Sequence, residues 1–244
     1  MPAPSVAVII CAAGSSRRMG GVKKEYRPLG TRDARGNPLT VLGAAAAAFA
    51  ECPRIQTIVI AVPHDRGGGE APARASLPPD LGLRGAGHDI RFVPGGESRR
   101  MSVHQGLALL AAAPPDYALV HDGARPWIDG DLIARVIDGT IRHGAAIPCV
   151  PLAETPKEID RHGFVRCHLP RRAVQAAQTP QGFRYQALLS AHEKAARRER
   201  DEGVEYTDDA EVWGEFVGPV AVVAGSSKNR KITFIEDLTR GEAL

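Results

Sequence analysis

No stretch of the sequence is apolar for long enough to cross a membrane. The longest apolar run, Val41–Ala50, is far shorter than the ~20 residues that a transmembrane helix needs. A basic region followed by an apolar one, which marks a secretory signal, is also missing near Met1. We therefore expect a protein that has no membrane partner and is not secreted.

Cysteine is scarce, and its spacing excludes the commonest cysteine chemistry. The 244 residues include four cysteines, Cys11, Cys52, Cys149 and Cys167, and no two of them form a CxxC pair. Zinc-binding and disulfide-exchange motifs are therefore absent. A chain of this length can also bury a core without disulfides. Reduced thiols in the cytoplasm are the simplest interpretation.

Neither sign of charge dominates the sequence. It has 31 lysines and arginines against 28 aspartates and glutamates, for a formal net charge of +3. So small an excess indicates an anionic ligand, but no surface that coats nucleic acid. Hydrophobic residues make up 43% of the sequence and charged residues 24%, an ordinary globular mixture that excludes a wholly disordered chain.

Short apolar runs alternate with helical segments along the chain. Strands are predicted at 6–11, 57–62, 90–93, 117–121 and 145–150, and helices at 41–51, 98–112 and 131–143. Continuous apolar strands separated by helices predict an α/β fold, with a mostly parallel twisted sheet covered by helices on both faces. We expect residues 1–244 to form one domain, with the ligand beyond the carboxyl ends of the strands.

Two segments interrupt this alternation. Residues 64–89 are rich in glycine and proline and predict a long loop with at most one short helix. Residues 153–178 hold a turn at 161–163 between two segments of mixed polarity. That pattern is typical of a hairpin arm that projects from the sheet. A polar helix at 185–200 and a strand at 220–224 follow the arm.

The segment after the first predicted strand has the composition of an anion-binding loop. Its small residues let the backbone approach a ligand closely, and free N–H groups in such a turn can hold a phosphate. Five cations, against the single acid Glu25, lie between Gly14 and Leu29: Arg17, Arg18, Lys23, Lys24 and Arg27. Such crowding favours a triphosphate ligand over the alternative, a solvated basic loop. The segment matches neither the P-loop nor the GxGxxG dinucleotide motif.

A second segment, 120–126, places Asp122 at the end of the fourth apolar run. An aspartate at a strand terminus beside a phosphate loop can hold Mg²⁺ or a ribose hydroxyl. Arg125 could pair with a second anion. The alternative is a capped turn in which Asp122 bonds its own backbone and Pro126 fixes the exit. From the residues alone, both interpretations stay open.

Four further segments combine small, polar and basic residues. In the third segment, which begins at Gly95-Gly96, the glycines allow close approach and Ser98 can cap the next helix. The others are the end of the hairpin (169–172 with 178–181), the TDDA sequence at 207–210 and the KNRK sequence at 228–231. Taken singly, each of these is typical of ordinary structure.

Together the six segments resemble the 2-C-methyl-D-erythritol 4-phosphate cytidylyltransferases of the non-mevalonate isoprenoid pathway. The matching motifs, in order along residues 6–238, are AAGSSRRMG…K, GGESR…SV, VHDGARP, the ET…R…QTPQ hairpin, TDDA and NRKIT. The resemblance implies a Rossmann-like nucleotidyltransferase fold. It also implies an enzyme that joins CTP to a polyol phosphate, uses Mg²⁺ and releases pyrophosphate.

The resemblance also implies a role for each matching residue. Arg18 and Lys24 would stabilise charge on the α-phosphate, while Arg171 and Lys231 would aim the attacking polyol phosphate. The nucleotide would be held by Ala12, Ala13, Gly14, Ser15, Ser16, Gly96, Glu97, Ser102, Asp122 and Gly123, with Asp122 also holding the metal. The polyol phosphate would be held by Arg125, Thr155, Arg171, Thr179 and Lys231. The family pattern further implies a homodimer with exchanged hairpin arms, in which Arg171 of one chain completes the site of the other.

Two of these assignments depend on a choice between neighbouring residues. Lys23 stands where the family usually has proline, and the spacing from Arg18 and the following Glu25 assign the catalytic position to Lys24. Arg171 is chosen over Arg172 because it lies eight residues before Thr179. Other departures are Glu154 for an aspartate, Arg230 for an apolar residue, and an insertion at 31–37 that we expect to form a surface turn.

Two alternative functions share part of this pattern. A ribitol 5-phosphate cytidylyltransferase would have the same fold and the same CTP half, and a non-catalytic module could bind a nucleotide with the same loop. The motifs at 207–209 and 231–233 favour the isoprenoid enzyme. Arg18, Lys24 and Lys231 argue against pure binding, because binding alone needs no clamp on the α-phosphate.

Overall fold

The computed structural model describes residues 3–14, 16, 23–33, 35–64, 69–81 and 89–239. The strands in these ranges are β1 (Val6–Cys11), β2 (Pro28–Arg32), β3 (Pro38–Thr40), β4 (Ile55–Val62), β5 (Asp89–Pro94), β6 (Tyr117–Asp122), β7 (Ala145–Pro151), β8 (Lys157–Ile159), β9 (Val165–His168), β10 (Gln175–Ala177), β11 (Gln181–Arg184) and β12 (Ala221–Ala224). The helices are α1 (Val41–Ala50), α2 (Glu70–Ala75), α3 (Arg99–Leu110), α4 (Gly130–His143), α5 (Tyr185–Glu202), α6 (Asp209–Phe216) and α7 (Glu236–Thr239). Every predicted strand and helix is present.

The main sheet is mostly parallel, as predicted. The strand order is β10-β7-β11-β6-β1-β4-β5, and β12 pairs with β7. The pairs β6·β1, β1·β4, β4·β5 and β12·β7 are parallel, whereas β10 and β11 run antiparallel to their neighbours. The carboxyl ends of β1, β4, β5 and β6 therefore meet along one edge of the sheet.

Helices cover both faces of the sheet. Because successive side chains of a strand point to opposite faces, each central strand contributes to two core clusters. In β1, Val8 and Ile10 pack with Phe49 of α1 in one core cluster. Ile9 lies in the other cluster, with Leu107 of α3. The continuous apolar runs therefore reflect helices on both sides of parallel strands, as expected for this architecture.

The hairpin arm is formed by β8 and β9, which pair antiparallel across a turn at 160–164. It exposes apolar side chains, since Ile159 is 65% and Phe164 71% exposed. The predicted range 153–178 was too long at its carboxyl end. Residues 175–177 pair with β7 as strand β10 of the main sheet, because the segment returns to an edge where β7 still has unpaired backbone groups.

The other predicted interruption, 64–89, holds one short helix, α2. The insertion at 31–37 joins β2 to β3 as the expected turn, in which the Asp33 N–H donates to the Asn37 carbonyl at 3.0 Å. None of the helices in the described ranges is long and apolar enough to span a bilayer.

Candidate active site

A cleft of about 640 Å³ opens where β1, β5 and β6 end. The residues predicted to bind nucleotide or phosphate that line it are Ala13, Gly14, Ser16, Lys24, Gly96, Glu97, Ser102, Asp122 and Lys231. The sequence analysis missed other lining residues, which are Cys11, Glu25, Ser98, Arg99, Ala124 and Thr233. The rule that ligands bind beyond the carboxyl ends of parallel strands therefore located the cleft correctly.

Asp122, the last residue of β6, is surrounded by positive charge. Its Oδ2 lies 2.7 Å from Lys231 Nζ, its Oδ1 lies 3.2 Å from Arg99 Nε, and Arg125 Nε is 3.8 Å away from Oδ2. Burial alone would raise the pKa of Asp122, but the charges of Arg99 and Lys231 outweigh burial and hold the pKa well below its ordinary range. Asp122 is therefore ionised at neutral pH.

The turn after β6 answers one question that the sequence left open. The Arg125 N–H donates to the Asp122 carbonyl at 3.0 Å, so a backbone turn does form here. The Asp122 side chain does not cap that turn, because its carboxylate pairs with Lys231 and Arg99 at the cleft. The Asp122 carboxylate therefore lies at the cleft wall, paired with two cations.

A buried polar network places Lys231. The amide of Gln178 accepts from the Ser226 N–H at 3.1 Å and donates to the Ser226 carbonyl at 2.8 Å. Asn229, which is fully buried, donates from Nδ2 to the Thr179 carbonyl at 2.7 Å. These bonds satisfy buried polar groups and fix the 226–229 turn on the sheet. The QTPQ and NRK motifs are therefore in contact, and Lys231 emerges next to Asp122.

Lys23 and Lys24, between which the sequence analysis had to choose, have different environments. Lys24 lines the cleft, and its Nζ donates to the Ile232 carbonyl at 2.7 Å. Lys23 instead donates to the carbonyls of Ala12 and Gly14 and forms an ion pair with Glu25 at 3.6 Å. A lysine at the family's proline position thus braces the backbone of the loop after β1.

Arg230, the other charged departure, is accommodated by an aromatic side chain. Its guanidinium carbon lies 5.2 Å from the ring centroid of Trp127. The flat guanidinium can stack on an indole face, where a cation is attracted by the ring. The contact with Trp127 thus gives a favourable environment to an arginine where the family has an apolar residue.

Two ionisable groups near the cleft are unsuited to acid–base or nucleophilic roles. Burial raises the pKa of the Cys11 thiol to about 12, so it stays protonated and is a poor nucleophile. Burial lowers the pKa of His121 to about 4, and its ring bonds the Thr179 hydroxyl and the Arg125 carbonyl. Neither Cys11 nor His121 is therefore a candidate nucleophile or general base at neutral pH.

The glycine-rich loop after β5 is packed too tightly to accept a side chain at Gly95. A Cβ built there would lie 2.2 Å from Ala13 Cβ and 2.9 Å from Ser102 Oγ. Ser102 also supports the loop by accepting from the Gly96 N–H at 3.1 Å. The close contact between Gly95 and Ala13 thus joins the two loops that form the wall of the cleft.

We expect Gly95→Ala to reduce the free energy of unfolding by about 1–3 kcal/mol, because overpacking forces the two loops apart. The same displacement should weaken binding of the nucleotide that the resemblance implies. Gly130→Ala is a matched control, since a Cβ there meets nothing within 4 Å. Urea unfolding and calorimetric titration with CTP measure the two effects. Equal effects of both substitutions would contradict the close contact.

Several predicted site residues lie outside the described cleft wall. Ala12 is fully buried, and the Gly123 N–H donates to the Cys11 carbonyl at 3.0 Å. Arg125 holds the Asn229 carbonyl at 2.8 Å, and Thr179 lies beneath Asp122, whose N–H donates to its hydroxyl at 3.0 Å. These four residues lie behind the cleft wall and pack against or bond to residues next to it.

The predicted substrate-binding residues of the arm are far more exposed. Thr155 and Arg171 are both exposed, and Arg171 donates to the Ala153 carbonyl at 3.1 Å. Among the described residues, neither Thr155 nor Arg171 lines the cleft of its own chain. Arg18 and Ser15, which the sequence analysis also proposed, lie outside the described residues.

Comparison with known proteins gives a consistent result. The family model for 2-C-methyl-D-erythritol 4-phosphate cytidylyltransferase (IspD) matches residues 6–244. A bifunctional enzyme IspD/IspF from Rhodospirillum rubrum is 40% identical over 243 residues, which cover 98% of this chain and 56% of that protein. A 2-C-methyl-D-erythritol 4-phosphate cytidylyltransferase from Pelotomaculum thermopropionicum is 37% identical over 242 residues, which cover 98% of this chain and 93% of the relative.

The fold agrees with this assignment. The crystal structure of 2-C-methyl-D-erythritol 4-phosphate cytidylyltransferase from Thermus thermophilus is 33% identical, with a TM-score of 0.69 over 98% of each chain. This chain spans about half the length of the bifunctional relatives that it matches. Sequence, fold and cleft lead to the same conclusion: the chain belongs to the 2-C-methyl-D-erythritol 4-phosphate cytidylyltransferase family.

Proposed function

We propose that this chain transfers CMP from CTP to 2-C-methyl-D-erythritol 4-phosphate, giving the CDP-linked methylerythritol and pyrophosphate. The observation that carries the proposal is the cleft wall, where Lys24 and Lys231 join the glycine-containing loops after β1 and β5 around one cavity. We assign this reaction to a single domain. The proposal concerns the cytidylyl transfer alone, and not the second activity of the bifunctional relatives.

In the proposed reaction, the attacking group is a phosphate oxygen of the polyol phosphate. This oxygen is already anionic at pH 7, so the step needs no general base. It forms a bond to the α-phosphorus of CTP, while the bond from that phosphorus to the bridging oxygen breaks and pyrophosphate leaves with the electron pair. Lys24 and Arg18 stabilise the charge that builds on the α-phosphate oxygens.

Lys231 has a second function in this scheme. An ammonium group has three N–H donors, so Lys231 can hold Asp122 and still donate to a phosphate oxygen. Its side chain is 39% exposed, which leaves it accessible from the cleft. Arg171 supplies the other cation that aims the polyol phosphate at the α-phosphorus. Holding two anions together in this way offsets their repulsion and the entropy of bringing them together.

We propose Asp122 as the protein ligand of a magnesium ion whose other ligands come from the nucleotide; the ion would share the carboxylate with Lys231 and Arg99. Mg²⁺ is usually bound by one or two carboxylates together with substrate phosphates. Asp122 lines the cleft and is ionised, and the residues described offer no group of three or more acidic, histidine or cysteine side chains that could hold a metal by themselves. Bound Mg²⁺ would neutralise phosphate charge, with Asp122 as its protein ligand.

The proposal predicts a strong preference for CTP over UTP. The two bases differ at one edge, where cytosine has an amino donor and uracil a carbonyl acceptor. Backbone groups around Ala12, Ala13 and Gly96 are fixed by the packing of the two loops, so a uracil would leave polar groups unpaired. We expect kcat/KM to be roughly 100-fold higher for CTP. Equal values for the two nucleotides, in a pyrophosphate-release assay, would contradict a base-selective pocket.

We also propose a homodimer in which the arms are exchanged. A lone two-stranded hairpin is marginally stable in water, and this one exposes Ile159, Phe164 and Val165. A second copy is the commonest surface that could cover them. Since Thr155 and Arg171 lie outside the described cleft wall of their own chain, an exchanged arm would bring them to the partner's cleft.

A cytoplasmic location is the last part of the proposal. The four cysteines, all of which are within the described residues, are free thiols. Cys167 is exposed on the arm, where an oxidising compartment would favour its reaction. Free thiols are therefore best explained by a reducing environment.

The identity of the second substrate can be tested by two parallel assays. Pyrophosphate release from CTP is measured with 2-C-methyl-D-erythritol 4-phosphate and with ribitol 5-phosphate, over matched concentrations. The proposal predicts a much larger kcat/KM for the methylerythritol phosphate. A larger value for ribitol 5-phosphate would assign the chain to the alternative enzyme, and CTP binding without pyrophosphate release would favour a non-catalytic module.

A further inference from the structure

Arg99 connects the cleft to a carboxylate buried behind it. This arginine begins α3, directly after the capping residue Ser98. Its Nε lies 3.2 Å from Asp122 Oδ1, and its Nη1 lies 2.7 Å from Asp209 Oδ2. Asp122 is on the cleft wall, whereas Asp209 is fully buried at the start of α6. One guanidinium therefore bridges two carboxylates that are far apart in the sequence.

Asp209 is itself held firmly in place. Its other oxygen, Oδ1, lies 3.1 Å from Nε2 of His192, which is also fully buried. Its backbone N–H donates to Gln181 Oε1 at 3.1 Å, while Gln181 Nε2 donates to Asp208 at 2.7 Å. Burial would raise the pKa of Asp209, but Arg99 and His192 lower it overall, so Asp209 carries charge. A buried charge is costly unless it is paired, and here the pairing leads directly to the cleft.

We propose that Arg99 is a positioning residue for Asp122, and that Asp209 holds Arg99 in the orientation this requires. The planar guanidinium can serve both carboxylates at once, which a lysine ammonium cannot do with the same geometry. Without Asp209, Arg99 would be free to turn away from Asp122 and towards the phosphates of a nucleotide. The inference rests on the proposed function, and it gives the TDDA motif a part in nucleotide binding.

The test compares five variants with the wild-type chain. Arg99→Met, Arg99→Lys, Asp209→Asn and the double variant Arg99→Met/Asp209→Asn are made beside the control Arg100→Met. Arg100 is the next residue of α3 and is buried, but it forms an ion pair with Glu199 at 2.6 Å and lies outside the described cleft wall. Calorimetry gives the Kd for CTP, a thermal scan gives Tm, and pyrophosphate release gives kcat/KM.

We expect Arg99→Met to weaken CTP binding roughly tenfold, which is typical when a partner that orients a site carboxylate is lost. The Kd of Arg99→Lys for CTP should stay within about twofold of that of Arg99→Met. A lysine restores the charge, but it does not restore the planar guanidinium that contacts both carboxylates. The double variant should bind CTP no more weakly than Arg99→Met, since Asp209 acts through Arg99. Arg100→Met should lower Tm by a similar amount and leave the Kd for CTP nearly unchanged.

Three results would overturn the inference. They are a normal Kd for CTP in Arg99→Met, full recovery in Arg99→Lys, and an equal loss of CTP affinity in Arg100→Met. If Asp209→Asn folds and binds CTP as tightly as the wild type, Asp209 does not hold Arg99 in place and that part of the inference fails. If Asp209→Asn does not fold, Arg99→Met and Arg99→Lys still test whether Arg99 positions Asp122. A wild-type chain that binds no CTP would overturn the proposed function, and the inference with it. A wild-type chain that turns over CTP while Arg99→Met is unimpaired would overturn the inference alone.

Discussion

Lys24→Ala should lower kcat by roughly 100-fold or more, while the affinity for CTP changes much less. The ammonium of Lys24 lines the cleft and, in the proposed reaction, meets charge that builds on the α-phosphate only in the transition state. An interaction that strengthens in the transition state appears in kcat, whereas one made equally with the bound nucleotide appears in KM. Steady-state kinetics and a separate CTP titration distinguish the two effects.

Lys23→Ala is the matched control, because it removes the same charge one residue earlier. Lys23 donates to the carbonyls of Ala12 and Gly14, so its loss should loosen the loop and raise the Kd for CTP. We expect a smaller decrease in kcat than for Lys24→Ala. A larger decrease for Lys23→Ala would transfer the catalytic role to Lys23. A Lys24 variant with normal kcat and a raised KM would show that Lys24 only binds the nucleotide.

Mixing two inactive variants, Lys24→Ala and Arg171→Ala, should restore roughly a quarter of the wild-type activity. In an exchanged-arm dimer, each mixed dimer has one site with both residues intact and one site with neither. Random exchange makes about half of the dimers mixed, and half of their sites are intact. The structural reason is that Lys24 lines the cleft, whereas Arg171 is exposed on a segment outside its described wall.

The control for this mixing experiment is the neighbouring residue Arg172, which is also exposed. Arg172→Ala should retain most of the activity by itself, because the spacing to Thr179 assigns substrate binding to Arg171. Subunit exchange is verified by native mass spectrometry of isotope-labelled chains. If exchange is complete and no activity returns, both residues act within one chain. A monomer in light scattering would rule out the dimer itself.

Local patterns in the sequence predicted the elements that depend on local causes. The apolar runs gave the central strands within two residues, because a strand buried on both faces must be apolar at every position. Ser98 caps α3 as expected, since its hydroxyl accepts from the Met101 N–H at 3.1 Å. The end of the arm was misplaced because pairing of 175–177 with β7 depends on a contact between distant segments.

The candidate site shows the same difference between features with a local cause and features that depend on contacts between distant segments. The residues assigned in the loops after β1, β5 and β6 came mainly from the resemblance to the family's motifs, and most of them line the cleft. The position of Arg99 between Asp122 and Asp209 was missed because Asp209 is 110 residues away in the sequence. An arginine beside a helix cap and an aspartate in a capping motif each have an ordinary local explanation. Only their contact in three dimensions connects them to Asp122.

The measurement that tests the central claim most directly follows the oxygen atoms of the second substrate. 2-C-methyl-D-erythritol 4-phosphate labelled with ¹⁸O at its non-bridging phosphate oxygens is incubated with CTP and Mg²⁺, and the products are analysed by mass spectrometry. Attack by that phosphate on the α-phosphorus predicts a CDP-linked product that retains all of the label, together with unlabelled pyrophosphate. Labelled pyrophosphate, or CMP in place of the CDP-linked product, would contradict the account.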